Sequence, residues 1–151
     1  MKKLFCVVCF FSLSHVYASE YSEQENQCAT ASDIVTNQDY DTFKSFLPEV
    51  LSNNTSALQR LVTKQHNKYF GSRYNGIANF KTTDYELIKQ PQSHKVSSVR
   101  RSHEKWGATK LLRIRYTFDT TIVRTQKEQS VGGYCEFGYI DNNWYMLNLL
   151  K

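Results

Sequence analysis

From Thr109 to Val123 the chain alternates with a period of two. Leu112, Ile114, Tyr116, Phe118, Thr120 and Ile122 occupy the even positions, and Arg113, Arg115, Thr117, Asp119 and Thr121 the odd ones. That is the pattern of a strand with one buried and one wet face; a helix would scatter the same apolar residues around its circumference. Its β-branched and aromatic content fits a pleated, half-buried surface. Such a strand needs partners on both edges and an apolar layer over its even face.

The flanking sequence supplies partners. Arg124–Ser130 reads as a polar connection and Val131–Ile140 as the next strand, with Val131, Cys135, Phe137 and Tyr139 on one side. Within it, Gly132-Gly133 suggests a bulge or a bend. Asp141-Asn142-Asn143 is a tight-turn signal, and Trp144–Leu150 closes the sheet. That last strand is apolar on both faces, so it is either central or covered. Upstream, Tyr85–Lys89 reads as a short strand stopped by Pro91. Lys95–Glu104 reads as a polar strand carrying Val96 and Val99, and Trp106-Gly107 as the turn into the long strand.

Before residue 80 the period changes. Ser19–Gln27 reads as a polar lead-in, and Gln27–Thr36 as a helix with Cys28, Ala31 and Val35 on one stripe. Asn37-Gln38-Asp39 breaks it. Asp39 is an N-cap for a second helix over Tyr40–Leu47, with Phe43, Phe46 and Leu47 inward. Pro48 favours a new first turn over Pro48–Leu51. A third helix spans Ser56–Tyr69, with Leu58, Leu61, Val62, Gln65 and Tyr69 inward. Gly71 ends it and opens a loop to Phe80. Helices followed by consecutive antiparallel strands define an α+β class: N-terminal helices packed on a curved antiparallel sheet.

Composition adds a compartment. Lys2 and Lys3, an apolar run from Leu4 to Leu13 and Val16-Tyr17-Ala18 have the form of a secretory signal peptide over residues 1–18. The run is too short to span a bilayer. Residues 19–151 then form a single domain, periplasmic or secreted, retaining Cys28 and Cys135. Two cysteines in an exported chain predict one disulfide. Cys28 lies on a helix stripe and Cys135 on a strand face. A helix-on-sheet fold sets those surfaces opposite each other.

The charge is unevenly placed. Glu20–Leu61 holds seven acids and two bases, and His94–Lys127 nine bases and two acids. Arg100, Arg101, Lys105, Lys110, Arg113 and Arg115, interleaved with Trp106 and Tyr116, have the composition of an anion-binding surface. Export argues against nucleic acid and for a protein partner or an anionic envelope component. The plain alternative is a solvated outer sheet face. Arg100, Arg101, Lys110, Arg113, Arg115 and Trp144 are the candidate partner-binding residues.

Two stretches carry a family resemblance. Asn37-Gln38-Asp39-Tyr40-Asp41-Thr42-Phe43 is similar to the break between the first helices of the NTF2-like superfamily. Phe137-Gly138-Tyr139-Ile140-Asp141-Asn142-Asn143-Trp144-Tyr145-Met146-Leu147 resembles its closing hairpin. The resemblance implies a cone, a bent sheet wrapped around N-terminal helices, with a pocket inside and dimers formed through the sheet. A cystatin-like sheet over one helix is the alternative. NTF2-like proteins include isomerases, dehydratases, transport factors and exported proteins without catalysis, so fold does not give function.

No sequence motif names a reaction, a cofactor or a metal. His66, His94 and His103 have no ligand spacing, and no nucleophile elbow is present. Acid–base chemistry in a cone would fall to Asp33, Asp39, Asp84 or Tyr116. Asp39 is better explained as a cap, and Asp119 by cross-strand pairing with Arg113 and Arg115. Two functions follow. One is an exported non-catalytic binder, either an accessory subunit of an envelope or secretion assembly or an immunity-type partner binder. The other is a small-molecule isomerase or dehydratase. A filled cone favours the first, and a deep apolar pocket with a carboxylate at its bottom the second.

Overall fold

The computed structural model describes residues 19–151, apart from the side chains of Val50 and Leu51; the expected signal peptide at residues 1–18 lies outside them. Helices α1 (Ser22–Asn37), α2 (Tyr40–Ser45), α3 (Glu49–Ser52) and α4 (Thr55–Tyr69) come first. Strand β1 (Ala78–Ile88), helix α5 (Ser97–Trp106) and strands β2 (Lys110–Ile122), β3 (Lys127–Ile140) and β4 (Asn143–Asn148) follow. The strands form one antiparallel meander in the order β1-β2-β3-β4. Among the described residues no helix is long and apolar enough to cross a membrane.

Side chains of α1, α2 and α4 meet the even face of β2 in one core. Cys28, Ala31, Ile34, Val35, Phe43, Val62 and Tyr69 pack with Leu112, Ile114, Tyr116, Phe118 and Phe137. Caps set the helix boundaries. Gln38 takes a left-handed conformation after α1. Asp39 accepts from Thr42 N at 3.0 Å and Asn54 from Ala57 N at 3.1 Å. Helix α1 starts at Ser22, earlier than the pattern suggested. Tyr21 anchors that end, with its ring 5.0 Å from Tyr85 and 5.9 Å from Trp144. One ring thus touches side chains of both edge strands, which in a flat four-stranded sheet stand about 14 Å apart. The sheet curls around the start of α1.

Further expectations are corrected. Lys95–Glu104 is not a strand: Ser97–Trp106 is helix α5. Val99 and Ser102 are its buried positions, three residues apart as one helix face requires, and Gly107, with φ of 68°, is its left-handed cap. Helix α5 lies on the sheet face opposite the other helices, where Val99 packs with Ile88, Ala108 and Leu111. Leu111 and Leu112 are neighbours in one strand and so serve two separate cores. Strand β1 begins at Ala78, well before Tyr85. It is an exposed edge, and register shifts between Ala78 and Lys81 and between Thr82 and Tyr85 break the alternation. The connection after β2 is also shorter than expected, because Ile122 already pairs with Lys127.

The closing hairpin follows its sequence signal. Asp141 and Asn142 have φ of 48° and 65°, as a two-residue turn between right-twisted strands demands. Strand β4 is an edge but is covered. Met146 N donates to Phe46 O at 2.9 Å, Met146 is buried in the first core, and Leu147 packs against the second.

Gly132-Gly133 is not a bulge, since the β2–β3 register runs unbroken past both. Gly133 makes room: a Cβ there would collide with the Lys151 carbonyl and the Tyr116 hydroxyl, whereas one on Gly132 would meet nothing closer than 3.5 Å. Gly133→Ala is therefore expected to lose about 1–3 kcal/mol of stability through overpacking. Gly132→Ala should be neutral or slightly stabilising. Urea midpoints of the two variants check the contrast, and equal midpoints would contradict it.

Candidate functional site

The structure disperses the six predicted contact residues. Arg100 Nη1 donates to His94 O at 2.7 Å and Lys95 O at 3.0 Å, so it ties down the loop before α5. Arg113 Nε donates to Glu136 Oε2 at 2.9 Å, and its side chain is only 14% exposed. Ser102 Oγ donates to the other Glu136 oxygen at 3.1 Å, so a buried carboxylate has a partner on each oxygen. Glu86 approaches Arg113 at 3.9 Å. Lys110 and Trp144 belong to the inner rim. Lys110 lies 4.9 Å from the centre of the Tyr139 ring, and Trp144 packs on that ring and on Tyr21. Arg101 and Arg115 are exposed on the outer face; Arg115 makes only a loose 3.6 Å pair with exposed Asp84. Asp119 pairs with neither arginine and accepts from Asn79 Nδ2 at 2.8 Å.

The histidines act as local staples. His66 Nδ1 lies 2.9 Å from Val35 O, and His103 Nδ1 2.9 Å from Ala108 O, both as donors to carbonyls. His94 Nδ1 accepts from Val96 N. Among the described residues no three His, Cys, Asp or Glu side chains gather as metal ligands do.

The space between helices and sheet is filled. Phe80 stacks on Tyr116 at 4.9 Å, Tyr69 on Tyr74 at 5.3 Å, and Phe118 meets both Tyr69 and Tyr74 edge-on. A hydrogen-bond chain runs through this aromatic cluster. Lys68 Nζ donates to Tyr69 Oη at 3.2 Å, Tyr69 and Tyr116 hydroxyls lie 3.3 Å apart, and Tyr116 donates to Lys151 O at 3.2 Å. Because Tyr116 gives its proton to a carbonyl, Tyr69 must be the donor between the two. Burial, and then Tyr69 beside it, pushes the Tyr116 phenol well above its ordinary value. The carboxylates Asp33, Asp39 and Asp84 are all exposed. Hydrogen bonds from the Thr42 side chain and backbone hold the Asp39 carboxyl below its ordinary range, as a cap requires.

Two cationic surfaces stand out among the described residues. On the outer sheet face a cavity of about 250 Å³ is bordered by Arg101, Lys105 and Trp106, and one of about 400 Å³ by Arg115, Thr117 and Gly132. Lys151 lines both, with its ammonium 5.4 Å from the centre of the Tyr134 ring. Thr117 Oγ1, beside the larger one, is buried and has no hydrogen-bond partner.

The second surface is a groove of about 850 Å³ along α4, which carries Arg60, Lys64, Lys68 and Arg73. Attention to the basic segment after His94 passes over it. Its sequence signal is a run without a single acid between Glu49 and Asp84.

No family model, no curated protein and no solved structure matches this chain.

Proposed function

We propose that the chain is an exported, non-catalytic binding protein of NTF2-like architecture. It contacts an acidic partner protein or another anionic envelope component through the outer sheet face, as an accessory subunit or an immunity-type binder does. The observation that carries this reading is the filled interior. Stacked aromatics occupy the space between helices and sheet, where this reading would put an enzyme's pocket, and the candidate carboxylates lie on the surface. The outer face offers contact chemistry instead: Arg101, Lys105, Arg115 and Lys151 surround the two cavities, next to an unpartnered Thr117 hydroxyl. The Cys28–Cys135 disulfide is compatible with an oxidising compartment.

Cross-linking of the chain from residue 19 onward in envelope extracts of the native host tests the reading. Arg101→Glu combined with Arg115→Glu should abolish the captured partner. Each exposed substitution should change stability by no more than about 0.5 kcal/mol. Lys44→Glu, an exposed position of α2, should leave capture intact. An unchanged set of partners in the double variant would reduce this surface to a solvated sheet face.

A further inference from the structure

The α4 groove has a property that folding alone does not explain. Arg60, Lys64 and Lys68 follow one another at four-residue spacing, so they share a helix face, and like charges so placed weaken a helix by about 0.2–0.5 kcal/mol per pair. The helix dipole favours a cation in the last turn, which accounts for Lys68 but not for Arg60 in the second turn. Among the described residues, which include every acid of the sequence, none of the four cations of the groove makes an ion pair.

The fold also fixes the backbone that carries the fourth cation. The chain after α4 folds back over the helix end: Arg73 N donates to Lys68 O at 3.2 Å, and Val123 N at the end of β2 donates to Arg73 O at 3.1 Å. The Arg73 backbone is thereby held from both sides, and its guanidinium lies 5.2 Å from the Tyr74 ring centre. Burial, and secondarily Arg73, holds the Lys68 ammonium below the usual lysine range. A half-buried ammonium beside a guanidinium carried on a fixed backbone, with no carboxylate paired to either, is a site organised for a negative charge from outside the chain.

We propose that this groove binds a hydroxyl-rich ligand bearing two or more phosphate or sulfate groups. Arg60 and Lys68 lie about 12 Å apart along the helix axis, at 1.5 Å per residue, so the cations address separated anionic groups. Beside the cation row the lining is neutral and hydrogen-bonding, with Gln59, Thr63 and Asn67 on the helix and Ser72 on the loop. That combination suits hydroxyls set between anionic groups. The volume is within the range of small-ligand sites.

Titration calorimetry at low salt, with glucose 1,6-bisphosphate, inorganic phosphate and glucose as probes, tests the site. The bisphosphate should bind about tenfold or more tightly than inorganic phosphate, the order expected for one further charge-assisted contact. Glucose should give no heat. Arg60→Gln with Lys64→Gln, both exposed, should weaken the bisphosphate about tenfold or more with an unchanged melting temperature, and added salt should do likewise. Arg101→Glu with Arg115→Glu should leave it unaffected, which separates this site from the outer sheet face. Equal binding of phosphate and bisphosphate, or no loss in the Arg60/Lys64 variant, would overturn the proposal. So would binding to phosphatidylglycerol vesicles that depends on Arg60 and Lys64 in the absence of bisphosphate binding, because the groove would then be a membrane contact.

Discussion

Reduction of Cys28–Cys135 is expected to lower the melting temperature by roughly 10 °C, from a stability loss of about 2–4 kcal/mol spread over a domain of this size. The bond joins α1 to β3 across the core, with Cα atoms 5.7 Å apart and 107 residues of sequence separation. Closing a loop of that length restricts the unfolded chain strongly; the chain-entropy estimate reaches about 4.7 kcal/mol for 100 residues. Both cysteines are fully buried, so Cys28→Ala with Cys135→Ala also leaves unfilled volume and should be less stable than the reduced wild type. Differential scanning calorimetry with and without reductant, alongside thiol titration of the denatured protein, measures the effect. A reduced protein that melts within about 2 °C of the oxidised one would show that the bond contributes little to the fold.

That disulfide was legible in the sequence because both of its flanking patterns obey a single period. Cys28 shares a 3.6-residue stripe with Ala31 and Val35, and Cys135 a two-residue alternation with Phe137. Strand β2 was legible for the same reason. Where two periods overlap, the pattern misleads. Val96 and Val99 lie in a charged stretch that tolerates either reading, and Gly107 marks a helix end as readily as a turn. The helix wins because Val99, Ser102 and Glu136 complete a second core on the outer face, and a long-range contact of that kind leaves no local trace. Strand β1 was half hidden because its two register shifts invert its parity and its edge position leaves both faces largely wet.

The candidate site was legible only as composition. Counting bases located a cationic segment but could not separate Arg113, which faces a buried carboxylate, from Arg115, two residues along the same strand and mostly exposed. What distinguishes them is the partner across the sheet, Glu136 for one and Tyr134 for the other. The α4 groove was missed because its cations are spread through an amphipathic helix, and the missing acids around them form no motif.

Arg113 therefore gives the largest expected effect of any single charge reversal. Glu136 is 2% exposed, and its two oxygens are held by Arg113 and Ser102. Arg113→Glu removes the countercharge and places a second carboxylate against the first, at an expected cost of about 3–5 kcal/mol, the range for breaking a buried pair from one side. Loss of the contact between the guanidinium and the Tyr134 ring, at 4.7 Å, adds to it. Arg115→Glu should by contrast fall within about 0.5 kcal/mol, because an exposed 3.6 Å pair is screened by solvent. Arg113→Met combined with Glu136→Met separates the net contribution of the pair from the cost of stranding one charge. If the pair is a specificity device rather than a source of stability, the double variant should recover most of what Arg113→Glu loses, since apolar replacements of buried pairs are often neutral or stabilising. Urea denaturation of the four proteins decides the matter. Equal losses for Arg113→Glu and Arg115→Glu would mean that the buried pair does not persist in solution. A double variant as unstable as Arg113→Glu would make the ion pair itself, and not the burial of an unmatched carboxylate, the source of the stability.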